Sequence, residues 1–552
     1  MTLLTQPIGS VPEETARVAH AAYPKGNIYL QLRDALGTIY QDQSFAHLFP
    51  HNGRPVEAPW RLVLITIMQF MEELPDRQAA DAVRGRIDWK YLLGLDLTDP
   101  GFDATVLCEF RKRLVQGDAA QLLLETVLEL FKQQGWLKSR GSQRTDSTHV
   151  LAKIRACNRL MCVGEAMRFA LNSLSIIADD WVLHHSDADW IFRYGHRIEE
   201  TRLPKPTAER LALAEQIGRD GSNLLADIFA SHSPAFLREV PAVQILRQIW
   251  VQNYYWDEGV LRWRESTDIP PQKQFINSPY DPEARFRKKR STMWTGYTVH
   301  LTEVCDDEAP HLITHVATTP ASTTDDAMTE TIHQHLQRDD LLPAQHLLDS
   351  GYITAQLLAA SKQTFGVELI GPGKVNVQWQ ANTPQGIDNS QFQIDWEHQR
   401  AVCPEGQTSI SWTPTKDNRQ HEVIKIRFST TDCQKCPRLA LCTHSKSKYP
   451  RRLLSVRPQH QHEALQTARQ AQHTSLFTVQ YARRQGIEAT MSQGVRAFDL
   501  RRSRYIGLEK TRLQHISIAT AINLVRIAAW LRGESPAPTR VSAFERLFAD
   551  AE

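Results

Sequence analysis

The sequence has little net charge and lacks segments typical of export or membrane insertion. Its 552 residues include 64 Lys and Arg against 62 Asp and Glu, a net charge of +2. Overall charge therefore does not indicate a nucleic-acid binder, and only local basic clusters can carry that argument. No apolar run reaches the length of a membrane span, and MTLLTQPIGSVPEETARV lacks the basic start and apolar core of a signal peptide. We therefore expect no membrane partner and a cytoplasmic location, which in a bacterium includes the nucleoid.

Disulfides are not expected, because no export signal accompanies the eight cysteines. Four of them, Cys403, Cys433, Cys436 and Cys442, fall together in AVCPEG and TDCQKCPRLALC. A CxxC pair with two further cysteines predicts a tetrahedral Zn²⁺ site, with His444 as an alternative ligand. The spacing from Cys436 to Cys442 is loose for a zinc ribbon, and no second CxxC follows. Free thiols therefore remain the alternative. The sequence also lacks an HExxH-like pair, which argues against a zinc-dependent hydrolase.

The length and the changing hydrophobic pattern predict several domains or one core with large insertions. The strand-like QRTDSTHVLAKI is followed by a long helical stretch, a pair of strand-like segments, and then alternating helices and strands. This order predicts a mixed α/β core. The predicted division is a leader at 1–28, a helical N-terminal domain at 29–135, a core at 136–371 and 451–533 with a helical insertion at 155–265, a β-rich insertion at 372–450, and a tail at 534–552.

Short amphipathic helices with basic residues dominate the N-terminal part. VEAPWRLVLITIMQFMEEL, LPDRQAADAVRGRIDWKYLLGL and DATVLCEFRKRL have apolar residues at helical spacing. These helices fit a helix-turn-helix-like DNA-binding module. They fit equally well a small bundle that packs on the rest of the chain.

Three acidic residues in distinctive settings carry the strongest chemical signal. Asp146 lies in QRTDSTHV, Asp349 in QHLLDSGYITA, and Glu488 in the helix-like YARRQGIEATMSQ. Converging carboxylates without a thiolate suit two Mg²⁺ or Mn²⁺ ions and phosphoryl transfer, which predicts cutting and rejoining of nucleic acid. Taken singly, the aspartates also fit a turn or a helix cap, and Glu488 fits a surface pair with Arg484.

Several motifs follow one another in a recognisable order. They include SFAHLFPHNGRP, DWKYLLGL, SPYDPEARFRKKRSTMWTGYTVHLTEVC and YARRQGIEATMSQGVRAFDLRRSRYIGLEKTRLQH. In these motifs the chain resembles the DDE-type transposases of bacterial insertion sequences, over roughly residues 30–532. The last motif resembles the Tyr–Arg–Glu–Lys signature of the IS-four-like group, more closely its IS-eleven-eighty-two-type branch. The resemblance implies an RNase H-like catalytic core in which Asp146, Asp349 and Glu488 are the catalytic, metal-binding acids.

The signature motif adds candidate DNA contacts beside Glu488. Tyr481, Arg484 and Glu488 have the helical spacing i, i+3, i+7 and therefore share one predicted helix face. Arg484 could hold a phosphate there, and Tyr481 could donate a hydrogen bond to one. The family's lysine falls on Val495 in this chain. Arg496 would substitute for it only if the helix breaks at the preceding glycine, Gly494, and otherwise the role has moved.

Basic clusters elsewhere are further candidates for DNA contact. Such clusters can bind phosphate regardless of base sequence, although a run of charge is usually only a solvated face. Aromatic residues of the β-rich insertion, Trp379, Trp396 and Trp412, could stack on a flipped base or simply pack in a core. The predicted basic contacts are Arg285, Arg287, Lys288, Lys289, Arg290, Arg501, Arg502, Arg504 and Lys510.

The resulting hypothesis is a transposase that binds the terminal inverted repeats of its element in double-stranded DNA. Two Mg²⁺ ions would activate water and then a 3′-hydroxyl for in-line attack on phosphodiesters. Two element ends must come together, which predicts a homodimer in a synaptic complex. The alternatives are a metal-dependent nuclease that does not integrate and a non-catalytic DNA-binding regulator, whose mark would be the loss of an acid.

Overall fold

Helices precede, interrupt and follow a mixed sheet along the chain. The computed structural model describes residues 3, 8–50, 52, 57–155, 157–374, 376–418 and 420–534, so nearly all of the predicted tail lies outside the described residues. The N-terminal helices are α1 (Glu13–Ala22), α2 (Ile28–Leu36), α3 (Pro59–Met71), α4 (Asp76–Gly85), α5 (Ile87–Leu93), α6 (Thr105–Gln116) and α7 (Leu122–Gln133). Strand β1 (Ser142–Leu151) comes next, before α8 (Arg159–Ile177), α9 (Asp179–His185), α10 (Trp190–Tyr194), α11 (Thr207–Phe229), α12 (Pro241–Asn253), β2 (Tyr254–Asp257) and β3 (Val260–Trp263).

The second half of the chain completes the sheet and adds a small β-rich segment. The elements that continue the core are β4 (Arg285–Lys289), β5 (Thr292–Val304), β6 (Ile313–Pro320), α13 (Asp326–Arg338), β7 (Gln345–Leu347), α14 (Ala355–Ala360) and β8 (Glu368–Ile370). The segment after them contains β9 (Gln393–Asp395), β10 (Arg400–Val402), β11 (Ser411–Lys416), β12 (Glu422–Arg427), α15 (Thr430–Lys435), α16 (Leu439–Cys442) and β13 (Leu453–Val456). The C-terminal helices are α17 (Gln459–Ala471), α18 (Ser475–Ala482), α19 (Gly486–Ala497) and α20 (Leu508–Leu531).

A six-stranded mixed sheet forms the centre, with strand order β4-β5-β1-β7-β8 and β6 also paired to β5. β1 is antiparallel to β5 and parallel to β7. The long strand β5 is buried over most of its length, as expected for β-branched and aromatic residues covered on both faces. The predicted mixed α/β core is therefore confirmed.

The N-terminal helices and the sheet share one hydrophobic core. A single cluster of buried residues runs from Tyr29 in α2 to Ala528 in α20. α20 is apolar on nearly all sides, which suits its burial between the sheet and α3. Its Asn523 fixes the start of β6, because its side chain bonds both the amide and the carbonyl of Ile313, at 2.7 and 2.8 Å.

The helices α8 to α12 pack around a core of their own, with the β2–β3 hairpin against it. α8 is the one helix among the described residues that is long and apolar enough by composition to cross a membrane. Over half of that stretch (56%) is buried inside the protein. Its apolar character is therefore explained by packing against α11 and α12.

The β-rich segment between β8 and α17 has short strands and a small core. β9 pairs with β10, and β11, β12 and β13 form a three-stranded antiparallel sheet. Seven buried apolar residues make up its core. This segment returns the chain to α17, α18 and α19 beside the central sheet.

Candidate active site

The three predicted acids line one open cleft of about 650 Å³. β1 and β7 run parallel and are paired up to Arg144 and Leu347. Asp146 and Asp349 each lie two residues beyond that pair, so the parallel strands carry both carboxylates to the same end of the sheet. Glu488 reaches the cleft from the first turn of α19.

A buried polar network holds α19, and with it Glu488, against β1. Arg144 is buried and forms a 2.7 Å ion pair with Glu303 on β5. The Arg144 guanidinium also donates to the main-chain oxygen of Arg483, 339 residues away in sequence, at 2.5 Å. Gly486 leaves room for this guanidinium, because a Cβ at that position would lie 2.1 Å from Arg144 Nη1. The network explains how a distant helix is brought to the strand that bears the first acid.

Arg484 lies between two of the acids and partly neutralises them. Its Nη2 donates to Asp146 Oδ2 at 2.9 Å, and its Nη1 is 3.9 Å from Glu488 Oε1. Burial raises the pKa of Asp146 above its usual value, Arg484 opposes this rise, and the nearby charge of Asp349 adds to it. Asp146 therefore sits in a position where additional positive charge would be stabilising.

The donor set of the cleft suits a hard divalent cation, although its carboxylates are not drawn together. Oxygen ligands without sulfur or imidazole are the set that Mg²⁺ and Mn²⁺ prefer. Within the described parts of the chain, no three Asp, Glu, His or Cys side chains are grouped closely enough to hold a metal ion. The Arg484 guanidinium contacts Asp146 where a cation would bind. A metal ion at Asp146 Oδ2 would therefore compete with Arg484 for that oxygen.

A fourth carboxylate, Asp325, contacts two residues that line the cleft and is not among the predicted residues. It is buried, and its oxygens accept hydrogen bonds from Ser147 Oγ at 3.1 Å and Lys289 Nζ at 3.3 Å. A Cβ at Gly351 would lie 2.9 Å from Asp349 Oδ1 and 3.1 Å from Asp325 Oδ2, so the two carboxylates flank that glycine. Asp325 thus links the strand of the first acid to β4 and lies beside the loop of the second acid. The only sequence signal was an aspartate pair, TTDDAM, at the start of a helix.

The signature helix is interrupted, but its tyrosine and arginine still reach the cleft. α18 ends at Ala482, the 3₁₀ turn Arg483–Gln485 follows, and α19 begins at Gly486, so the expected helical run contains one 3₁₀ turn. Tyr481 and Arg484 nevertheless line the cleft. Burial raises the pKa of Tyr481, Arg484 opposes the rise, and the charges of the three acids add to it. Its ring also stacks on that of Phe477, with centroids 5.3 Å apart.

Arg496 does not take the place of the family's lysine, whose position is Val495 in this chain. Gly494 lies inside α19, which continues to Ala497, so the helix does not break there. A Cβ at Gly494 would lie 2.8 Å from Leu500 Cδ2, which gives this glycine a packing role. Val495 packs against the main core, and Arg496 is exposed and does not line the cleft. The condition under which Arg496 would substitute is therefore not met.

Part of the predicted basic set forms a wall of the cleft. Arg287, Lys289, Arg290 and Arg501 line it together with the acids. Arg501 Nε donates to Thr148 Oγ1 at 2.8 Å, which holds it against β1. The alternation of strand β4 puts Arg287 and Lys289 on the cleft side and Lys288 on the other.

The remaining predicted basic residues lie outside this cleft. Arg285 donates to the main-chain oxygen of Lys273 at 3.1 Å, and Arg504 donates to that of Leu74 at 3.2 Å. Both guanidiniums thus serve the fold. Arg111, in the basic end of α6, is likewise buried in an ion pair with Asp76 at 2.5 Å. Three further residues are exposed away from the cleft: Lys288, Arg502 and Lys510.

The tryptophans of the β-rich segment do not line the cleft. Trp379 stacks on His444 with ring centroids 3.5 Å apart, and Trp396 meets Trp412 edge to face at 5.4 Å. These contacts are packing interactions within the segment. Stacking involves only the face of the His444 ring, so its role as the alternative metal ligand stays a prediction.

Comparison with protein families gives matches at both ends of the chain. Residues 17–113 match a family described as "Transposase domain (DUF772)", and residues 402–528 match one described as "Transposase DDE domain". These two matches, which together cover less than half of the chain, support a DDE-type insertion-sequence transposase. No curated protein matches the chain. Glu488 lies within the second match, whereas Asp146 and Asp349 lie outside both, and the particular branch of the family stays a prediction.

Proposed function

We propose that this transposase binds the terminal inverted repeats of an insertion sequence and catalyses metal-dependent DNA cleavage and strand transfer. The supporting observation is that Asp146, Asp349 and Glu488 line one cleft whose wall is basic. Acids from two parallel strand ends and a distant helix have no structural reason to meet, since like charges in one partly buried cleft are costly. A cation-dependent reaction on DNA would explain why the three acids lie together.

The three acids would hold the divalent ions. Two such ions, when bound, activate the attacking oxygen and stabilise the leaving oxygen of a phosphodiester. Asp146 must be ionised to take part, and Arg484 must release it. The freed guanidinium of Arg484 then has the geometry to bind a phosphate through two parallel hydrogen bonds. In this way Arg484 holds the acids before DNA arrives and contacts the DNA afterwards.

The basic wall and Tyr481 would position the DNA backbone. Lys289, Arg290 and Arg501 lie on the cleft surface, where they can contact successive phosphates without reading base sequence. Tyr481 can donate its hydroxyl hydrogen to a phosphate oxygen. Recognition of the terminal repeat is assigned to the N-terminal helical domain. Pairing of two ends makes a homodimer the acting form, in the bacterial cytoplasm at the nucleoid.

The proposal is tested with a duplex that carries the terminal repeat of the flanking element. We expect Mg²⁺-dependent cleavage and joining by the wild type, and DNA binding without cleavage by Asp349→Asn. The matched control is Asp340→Asn, an exposed aspartate outside the cleft whose positive φ of 53° asparagine accepts. Equal cleavage by wild type and Asp349→Asn would remove Asp349 from the site. Cleavage without joining would identify a nuclease, and binding without cleavage by the wild type would identify a regulator.

A further inference from the structure

The four clustered cysteines converge on one small apolar pocket of about 40 Å³ in the β-rich segment. Cys403 follows β10, Cys433 lies in α15, Cys436 directly follows α15, and Cys442 ends α16. All four line the pocket, and none forms a disulfide. A cavity of this size has room for a single ion or water but not for an organic ligand.

Cys403 lies in a tight turn in which a main-chain amide points at its sulfur. The Gln407 amide donates to Cys403 Sγ at 3.4 Å, and the Cys403 amide donates to the Gln407 oxygen at 2.9 Å. Gly406 makes the turn possible with a φ of +77°, a conformation that residues with a side chain seldom adopt. A second short turn links the CxxC pair, since the Cys436 amide donates to the Cys433 oxygen at 3.1 Å. One main-chain amide thus points at the Cys403 sulfur, and two short turns hold Cys403 and the CxxC pair beside the pocket.

A buried guanidinium lies beside the pocket, and the charge of Asp388 acts on it from beyond ion-pair distance. Arg452 is only 5% exposed, and its hydrogen-bond partners are the neutral oxygens of Cys442 and Asn389. Among the described residues it forms no ion pair, and its Nε has no hydrogen-bond partner. A buried unpaired charge is costly. The Arg452 side chain lines the same pocket as the thiols, so thiolates there would add negative charge beside it.

The hydrophobic core of the β-rich segment is too small to stabilise its folded structure by packing alone. Its seven buried apolar residues lie between Ile387 and Val456, and its strands have three to six residues. Segments of this size usually need a metal or a disulfide in addition to their core. Cys403, Cys433 and Cys442 pack directly against this core.

We propose that Cys403, Cys433, Cys436 and Cys442 bind one structural Zn²⁺ that stabilises the β-rich segment. Four thiolates around Zn²⁺ give a closed tetrahedral site with a net charge of −2, which the buried Arg452 partly offsets. The thiols are not yet at ligand spacing in the part of the chain that the structure describes, so the two turns close on the ion as it binds. This site is separate from the acid cleft and does not depend on the proposed reaction.

The test measures metal in the purified full-length chain under reducing conditions. We expect about one Zn²⁺ per chain for the wild type and for the matched control Cys108→Ser, an exposed cysteine in α6. Cys436→Ser should lose the metal. Equal zinc in Cys436→Ser and wild type would overturn the assignment.

A second measurement decides the matter if Cys436→Ser does not fold. Wild-type chain stripped of metal is titrated with Co²⁺, whose thiolate complexes absorb strongly in the near ultraviolet. Saturation at one Co²⁺ per chain, reversed by Zn²⁺, would support a tetrahedral thiolate site. A chain that contains no zinc when purified and shows no thiolate absorption with Co²⁺ would refute it.

Discussion

The acid cleft and the cysteine pocket are both candidate metal sites, yet they differ in size, exposure and charge. The cleft has about 650 Å³, Glu488 is 69% exposed in it, and Arg484 lies between its carboxylates. The pocket has about 40 Å³, is lined by the four thiols with apolar and some polar residues, and includes the buried Arg452 in its lining. An open site with a displaceable guanidinium suits ions that must meet DNA. A closed site suits an ion that only holds the fold, since structural zinc leaves no open coordination position.

The largest expected contrast compares Cys436→Ser with Asp349→Asn. Structural zinc contributes about 10–16 kcal/mol of apparent binding free energy, and much of this is folding free energy. We therefore expect Cys436→Ser to make residues 387–456 sensitive to limited proteolysis, while Asp349→Asn leaves the cleavage pattern of the protease unchanged. An identical proteolysis pattern for Cys436→Ser and Asp349→Asn would contradict the distinction between a structural and a reactive site.

The next contrast concerns the network that positions Glu488. Arg144→Ala leaves the Glu303 carboxylate buried, although Thr490 and Arg526 still contact it. Removing one partner of a buried ion pair costs about 3–5 kcal/mol. We expect a clearly lower thermal unfolding midpoint and loss of DNA cleavage, because α19 is no longer held to β1.

The control for that variant is an arginine in an exposed ion pair. Arg338 is 55% exposed and pairs with Glu125 and Asp339 at the surface. Exposed pairs contribute about 0–1 kcal/mol, so Arg338→Ala should change the midpoint little. Equal shifts for Arg144→Ala and Arg338→Ala would show that the buried network does not stabilise the core.

A smaller effect is expected from Mg²⁺ and pH at Asp146. Because its pKa is raised in the folded chain, this carboxyl favours the folded state most at low pH, and that contribution is lost as pH rises through the raised pKa. Mg²⁺ binds only the ionised form. At a 100-fold excess over Kd it should add about 2.7 kcal/mol to the unfolding free energy near pH 7, and progressively less as pH falls. Thermal shift with Mg²⁺ tests this; the same stabilisation in Asp146→Asn would contradict it.

The two sites also differ in how much of them could be predicted from the sequence. Asp146 lies in a strand-like run and Asp349 follows one, and parallel pairing of neighbouring strands brings such positions together. The short spacing of Cys433 and Cys436 likewise made the CxxC pair recognisable from the sequence. Asp325 and the Arg144–Glu303 ion pair were missed, because a buried carboxylate acquires its partners only from residues far away in sequence, 159 positions apart for the ion pair.

The 3₁₀ turn between Tyr481 and Glu488 was not predicted, for a related reason. Residue spacing gave no sign of the 3₁₀ turn Arg483–Gln485 that joins the two helices. The main-chain oxygen of Arg483 in this turn accepts from Arg144, a strand residue. Local spacing cannot report a contact of that kind, since tertiary packing overrides local preference.

The smallest expected effect separates the cleft wall from ordinary surface charge. Arg290 lies in the two-residue turn between β4 and β5 with a φ of 55°, and it lines the cleft. Arg290→Asn removes the charge in a conformation that asparagine accepts. If Arg290 contacts one phosphate, the slope of log K against log salt for duplex binding should fall by about 0.9. Lys288→Asn, two residues earlier on the opposite side of β4, removes the same charge and should leave the slope unchanged. If both variants keep the wild-type slope, the DNA backbone lies away from this wall. If both slopes fall by the same amount, only overall charge attracts the DNA.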